Sequence, residues 1–333
     1  SKSPAWDPTM TRLALIILMT SMGISSSKGQ ELSGHAAAFV DVGFGARAVA
    51  LGAAYVGLSD DAHAIFWNPS GLARLKAYEV TLGYLDHLGL FPYQHLALGV
   101  PLGANQGLGL GIISSGDDAL RELTVQGGYG RAVGPLLMGA TLKYRTASFG
   151  KNALNADDYA VFEPSEVQTG LDNQVSGTAS GIGFDVGLLY RPRPSVGFGV
   201  AFRDALAPLS WSSSGGLAEV TARGTYSESL PATLSFGTVY HPSRHAMISV
   251  DYSPAMTTDI ADRLAVGAEI EVFSVLLLRG GTLQLVNGDS DERYAVGFGL
   301  DVGAADMGRI RADYTYTMQK LANTQQFSLS LSF

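Results

Sequence analysis

From residue 77 onward the chain alternates apolar and polar positions with a period of two, the mark of β-strands whose successive side chains point to opposite faces. Ile182, Phe184, Val186, Leu188 and Tyr190 share one face, opposite Gly183, Asp185 and Gly187. Tyr294, Val296, Phe298, Leu300 and Val302 oppose Arg293, Gly297, Gly299 and Asp301. Ile310, Ala312, Tyr314 and Tyr316 oppose Arg311, Asp313, Thr315 and Thr317. The pattern predicts fourteen strands, near 77–85, 94–101, 105–115, 121–132, 135–148, 179–191, 195–204, 231–241, 245–253, 262–271, 274–284, 293–302, 308–317 and 325–333. The last strand sets Phe327, Leu329, Leu331 and Phe333 on one face and serines on the other. A strand that closes on an aromatic needs a partner, and a closed transmembrane barrel supplies one.

The connections sharpen this. Those after even-numbered strands are short: Leu102–Ala104, Val133-Gly134, Pro192–Pro194, Pro242–Arg244, Val272-Phe273 and Gly303–Met307. Those after odd-numbered strands are longer, notably 149–178 and 205–230. Short turns on one side and long loops on the other are the pattern of an outer-membrane barrel, and an even strand count brings both barrel ends to the short-turn side. Tyr159, Phe162 and Trp211 give the two long loops apolar contact points for a partner. A soluble β-sandwich shares the period. The polar faces, however, mix Lys143, Arg145, Asp185, Arg203, Glu269, Asp301, Arg311 and Asp313 with many Gly and Ser residues. That suits a lumen partly filled by a plug better than a surface kept soluble by dense charge. Tyr78, Tyr190, Tyr240 and Phe333 fall on apolar faces near the short-turn ends, as an aromatic girdle does. The expected fold is therefore an all-β, antiparallel transmembrane barrel in contact with outer-membrane lipid. Its terminal strand pairs with Ala77–Leu85, and Phe327, Leu329, Leu331 and Phe333 are expected to be the assembly signal read by the barrel-assembly machinery.

Residues 30–76 read differently, as an N-terminal hatch of short helices and turns before the barrel of 77–333. Small residues dominate Gly43–Ala54. Ser59, Asp60 and Asp61 are helix-capping types, and Asn68-Pro69-Ser70-Gly71 is a turn. Asp60, Asp61, Asn68, Pro69 and Gly71 form the candidate hatch motif. A carboxylate in a lumen needs a partner, and Arg145, Arg203 or Arg311 are available. Gly107, Gly109 and Gly111, all on one strand face, leave room for a hatch. Further upstream, Leu13–Met19 is too short to span a bilayer as a helix and fits the core of a secretory signal peptide, with cleavage expected near Gly29–Gln30 and a leader over 1–29.

Composition narrows the function. Charged residues are 16%, below the roughly 25% of soluble domains, and the net charge is −8 without a basic run, which excludes nucleic-acid binding. With no Cys, thiol chemistry and disulfides are absent. His35, His63, His87, His95, His241 and His245 make no metal-binding spacing, and no catalytic constellation stands out. Neither an enzyme, a cofactor nor a metal centre is expected. The glycine-rich stretches at 43–46 and 107–111 lack the strand–loop–helix setting of a nucleotide loop.

Ala38-Phe39-Val40-Asp41-Val42-Gly43-Phe44-Gly45-Ala46-Arg47-Ala48 through Tyr55, Asp60-Asp61-Ala62 through Phe66-Trp67-Asn68-Pro69-Ser70-Gly71-Leu72, and the ending Leu321–Phe333 resemble the PorV/PorQ family of outer-membrane proteins. The middle segment is also similar to the wider FadL-type transporters. The resemblance implies a fourteen-stranded barrel with a hatch in its lumen. For a PorV-type member it implies binding of secreted cargo or a secretion-system component in association with type IX secretion. For a FadL-like member it implies transport of a hydrophobic small molecule.

Overall fold

Sixteen strand segments account for nearly all of the barrel sequence in the computed structural model: β1 Glu79–His87, β2 Phe91–Pro101, β3 Gln106–Gly116, β4 Leu120–Val133, β5 Leu136–Phe149, β6 Ser176–Arg193, β7 Val196–Leu206, β8 Pro208–Leu217, β9 Val220–Ser229, β10 Thr233–Ser243, β11 Ala246–Ser253, β12 Arg263–Val272, β13 Leu276–Leu285, β14 Arg293–Ala304, β15 Gly308–Met318 and β16 Thr324–Ser332. The structure describes residues 42–333 apart from 88, 90, 117–119, 151–175, 218–219, 257–260, 287–291 and 305–307. The expected leader over 1–29, and the loop residues Tyr159 and Phe162, lie outside the described residues.

Neighbouring strands pair antiparallel from β1 to β7, then β7 with β10 and onward to β16, and β16 pairs with β1 to close the ring. The closed wall therefore contains fourteen strands, as the alternation predicts. Its seam runs in register from Glu79↔Ser332 to Asp86↔Gln325, and Tyr78 and Phe333 exchange two 3.0 Å backbone bonds below it. Their rings stack with centroids 5.8 Å apart. On β16, Phe327 and Leu329 point outward, whereas Ser328 and Ser330 are buried inside.

One connection departs from the sequence expectation. Residues 205–230 are not a long loop: β8 continues upward from β7 and pairs with the upper part of β6, and β9 returns beside it. Trp211 accordingly sits on a strand. It packs on Phe149 with centroids 5.8 Å apart and donates to Glu228 at 2.7 Å. The hairpin's outward row is polar, with Ser210, Ser212 and Ser214, while Leu209 and Trp211 pack inward against Ala147 and Ala179. On β5 the outward side chains run apolar over nine residues from Leu136 to Tyr144, and then change to Thr146 and Ser148. Nine residues are enough to cross the hydrocarbon layer. The matching change on β6 falls between Ile182 and Ser180.

Residues 42–76 fill the lumen with two short helices, Ala46–Ala50 and Ala64–Trp67, and a 3-10 helix, Pro69–Arg74. Their apolar side chains form the largest buried cluster, including Leu51, Tyr55, Leu58, Ile65, Trp67 and Leu72. At roughly 1.5–3 kcal/mol for each large side chain removed from water, this cluster is what keeps so short a segment folded inside a polar bore.

Candidate functional site: the hatch and its seat

The hatch meets the wall largely backbone to backbone, which only glycine permits. A Cβ added to Gly130 would lie 2.7 Å from Ala73 N, and one on Gly109 would lie 2.8 Å from Leu72 Cδ2. Gly107 abuts the Leu72 carbonyl, Gly139 abuts Pro69, and Gly111 faces Phe66. Around the rest of the bore, Gly199 and Gly237 face Val56 and Gly57, and Gly267 and Gly281 face Leu51 and Gly52. The row Gly107, Gly109 and Gly111 thus makes the room expected of it, as one part of a seat that runs around most of the wall.

Hatch backbone groups that its short helices leave unpaired find side chains on the wall, because a buried amide needs a partner. Ala46 N donates to Ser328 Oγ at 3.0 Å, Val56 N to Asp251 Oδ2 at 2.7 Å, and Ala62 N to Glu79 Oε2 at 2.7 Å. The Ile65 carbonyl accepts from Gln126 Nε2 at 3.2 Å.

Asn68 caps the 3-10 helix. Its Oδ1 accepts from Ser70 N at 3.2 Å and from Ser70 Oγ at 2.6 Å, while its Nδ2 donates to Val56 O at 2.9 Å and to Leu188 O of β6 at 3.1 Å. All of its hydrogen-bonding capacity is spent on holding the turn and tying it to the wall. Pro69 takes the first helical position, where no amide hydrogen is needed. A Cβ on Gly71 would lie 2.8 Å from Ser59 Cβ, so Gly71 is required for the close approach of two hatch turns.

Asp60 and Asp61 belong to a circuit of charges. Arg47 reaches Asp60 at 2.7 Å and Asp61 at 3.4 Å, and holds Glu269 with both Nε (3.0 Å) and Nη2 (3.2 Å). Glu269 meets Arg279 at 2.6 Å, Arg279 meets Asp313 at 2.6 Å, and Asp313 meets Arg311 at 3.2 Å. Arg311 returns to Asp61 at 3.0 Å. The six groups alternate in sign around a closed ring that includes two hatch residues and strands β12, β13 and β15. Burial disfavours the charge of Asp61, yet His63, Arg311 and Arg47 outweigh it and hold that carboxyl well below the usual carboxylate range. Of the three arginines that the sequence offers, Arg311 is the partner. Arg145 instead pairs with Asp204 at 2.6 Å, and Arg203 lies 5.7 Å from the Trp67 ring centroid.

Arg145, Lys143, Asp185 and Asp204 form a second cluster where the wall is irregular. Pairing between β6 and β7 jumps from Phe184↔Leu206 to Val186↔Phe202. Asp204 takes a positive φ of 52° there, and its amide donates to Asp185 Oδ1 at 2.8 Å. Lys143 bridges Asp185 and Asp204 at 2.8 and 3.1 Å. The sequence marks neither the bulge nor the role of Arg47.

Among the described residues, no group of three His, Asp or Glu side chains is placed to hold a metal ion. What the arrangement provides is a plug that continues through residues 75–78 into β1 and is otherwise held by charge pairs, hydrogen bonds and close packing.

No protein-family model and no curated protein sequence matches the chain. Solved structures do. The Ralstonia pickettii toluene transporter TbuX superposes with a TM-score of 0.60 at 15% identity, over 87% of this chain and 98% of that one. The CymD monoaromatic hydrocarbon channel gives 0.58 at 16%, over 89% and 98%. A Pseudomonas aeruginosa FadL homologue gives 0.55 at 16%, over 85% and 97%. These structures bear on the FadL-type side of the sequence resemblance; they do not show its PorV/PorQ side. At such identity the likeness is one of fold alone, a closed fourteen-stranded antiparallel barrel.

Proposed function

We propose that the protein is an outer-membrane channel that admits a small hydrophobic molecule, with the hatch as its gate, and that it performs no catalysis. The observation that carries this reading is the hatch itself, a plug of short helices in a closed barrel, joined to the wall through residues 75–78 and otherwise by non-covalent contacts. The similar structures include proteins described as a toluene transporter and a monoaromatic hydrocarbon channel, which supports a hydrophobic ligand over a polar one. In this reading the chain is exported by its leader, and the outward face of β16 is recognised during barrel assembly. Entry of a radiolabelled monoaromatic hydrocarbon into asymmetric vesicles with a lipopolysaccharide outer leaflet tests it. Protein-containing vesicles should fill several times faster than empty ones, with a sugar control unchanged. Equal filling rates would rule the reading out.

A second reading, a partner for exported cargo of the PorV type, draws on the resemblance at residues 38–72 and on the β8–β9 hairpin. That hairpin presents a strand edge and the exposed Tyr226 above the lipid boundary. Recovery of surface cargo with the intact protein but not with a hairpin-deleted form would favour it.

A further inference from the structure

His63 of the hatch and His95 of β2 meet edge to face with ring centroids 5.5 Å apart, and both are almost wholly buried. His63 Nδ1 faces Asp61 Oδ1 at 3.3 Å. Among the described residues neither His63 Nε2 nor either His95 nitrogen makes a hydrogen bond. The His95 ring is instead enclosed by Phe66, edge-on at 5.8 Å, by Phe44 at 5.6 Å and by the β1 backbone at Gly83, where a side chain would collide with it. A neutral imidazole carries one N–H that goes unpaired in this setting; a protonated one carries two and a full charge.

The titratable and charged groups around the pair come from several elements. The hatch brings Asp61 with Arg47, β1 brings Glu79, β2 brings Tyr93, β4 brings Glu122 beside Tyr93, and β15 brings Arg311. Asp61 and Glu79 already have partners. Asp61 is shared by His63, Arg47 and Arg311, and Glu79 accepts from Ala62 N. A proton on His95 would therefore lie against an aromatic wall and another imidazole.

We propose that His95 makes the hatch a proton-released gate: the seated hatch excludes the imidazolium, and the displaced hatch leaves His95 in water, free to take up a proton. The proposal rests on the hatch being the moving part, and it adds what moves it. Because the displaced state binds more protons, acidification shifts the balance toward it. With an ordinary imidazole in the displaced state, His95 by itself raises the displaced-to-seated ratio by up to roughly tenfold from pH 7.5 to 5.5. Asp61 stays ionised across that window and cannot produce the effect.

The chain has no cysteine, so a single Ser59→Cys, fully buried in the hatch, reports displacement by maleimide labelling in lipid vesicles. Each rate is divided by that of an exposed Ser212→Cys control at the same pH. The normalised rate should rise, by up to roughly tenfold, between pH 7.5 and 5.5, and should be flat after His95→Phe or, should that variant fail to assemble, after His95→Gln. A flat response in the His95 protein overturns the gate. So does a slope that survives both substitutions, or one abolished by Glu79→Gln alone. Labelling does not depend on a passenger. A pH-dependent label without hydrocarbon entry would keep the gate and discard the transport reading.

Discussion

Arg47 joins the hatch's own acidic pair to the wall, since Asp60, Asp61 and Glu269 all converge on one guanidinium. Removing one member of a buried pair costs about 3–5 kcal/mol, because the charges left behind lose their compensation. Arg47→Ala should therefore loosen the hatch while the wall still closes. Single-channel recording should show frequent openings absent from the unaltered protein, and unchanged conductance would mean that the charge ring is not the fastening. Much of this ring is visible in the sequence as inward-facing Glu269, Arg311 and Asp313 on alternating strands. Arg279 escapes because its strand is apolar on both faces, which hides the inward position of one charge. Arg47 escapes because its partner Glu269 is more than two hundred residues away, and no spacing rule links them.

At the scale of elements, lipid is what makes strands legible. A side chain facing hydrocarbon must be apolar while its neighbour faces a polar bore, so the two environments write a period of two into the sequence. On β16, Leu329 lies mid-strand on the outer face. Leu329→Arg should destabilise the barrel by about 2–4 kcal/mol in denaturant unfolding from lipid vesicles, as a cation at the midplane does; an unaffected midpoint would mean that this face does not meet lipid. Where the lipid ends, the code ends with it. Residues 208–214 and 223–229 carry mostly Ser and Thr on their outward side, and so read as loop although they pair as strands. Because β7 and β10 pair with each other without help from this hairpin, replacing 208–229 by a short turn should leave a barrel that still assembles and resists heating in detergent. Loss of the folded form on gels would show that the hairpin is part of the barrel's support.

For the molecule as a whole, two surfaces of opposite character were fitted to one wall. Outside, nine-residue apolar spans match a bilayer; inside, glycines match a backbone. The first is a general requirement and was readable from alternation. The second is a mutual fit between segments far apart in sequence, which one chain read by itself discloses only as an excess of glycine.

The bond from Ala46 N to Ser328 Oγ couples the plug to the seam. The first hatch helix has no capping side chain of its own, since Gly45 precedes it, and the hydroxyl that completes it arrives on the final strand. That same strand seals the wall against β1. One strand thus both closes the wall and completes the plug, so a change that weakens the seam is felt by the hatch as well.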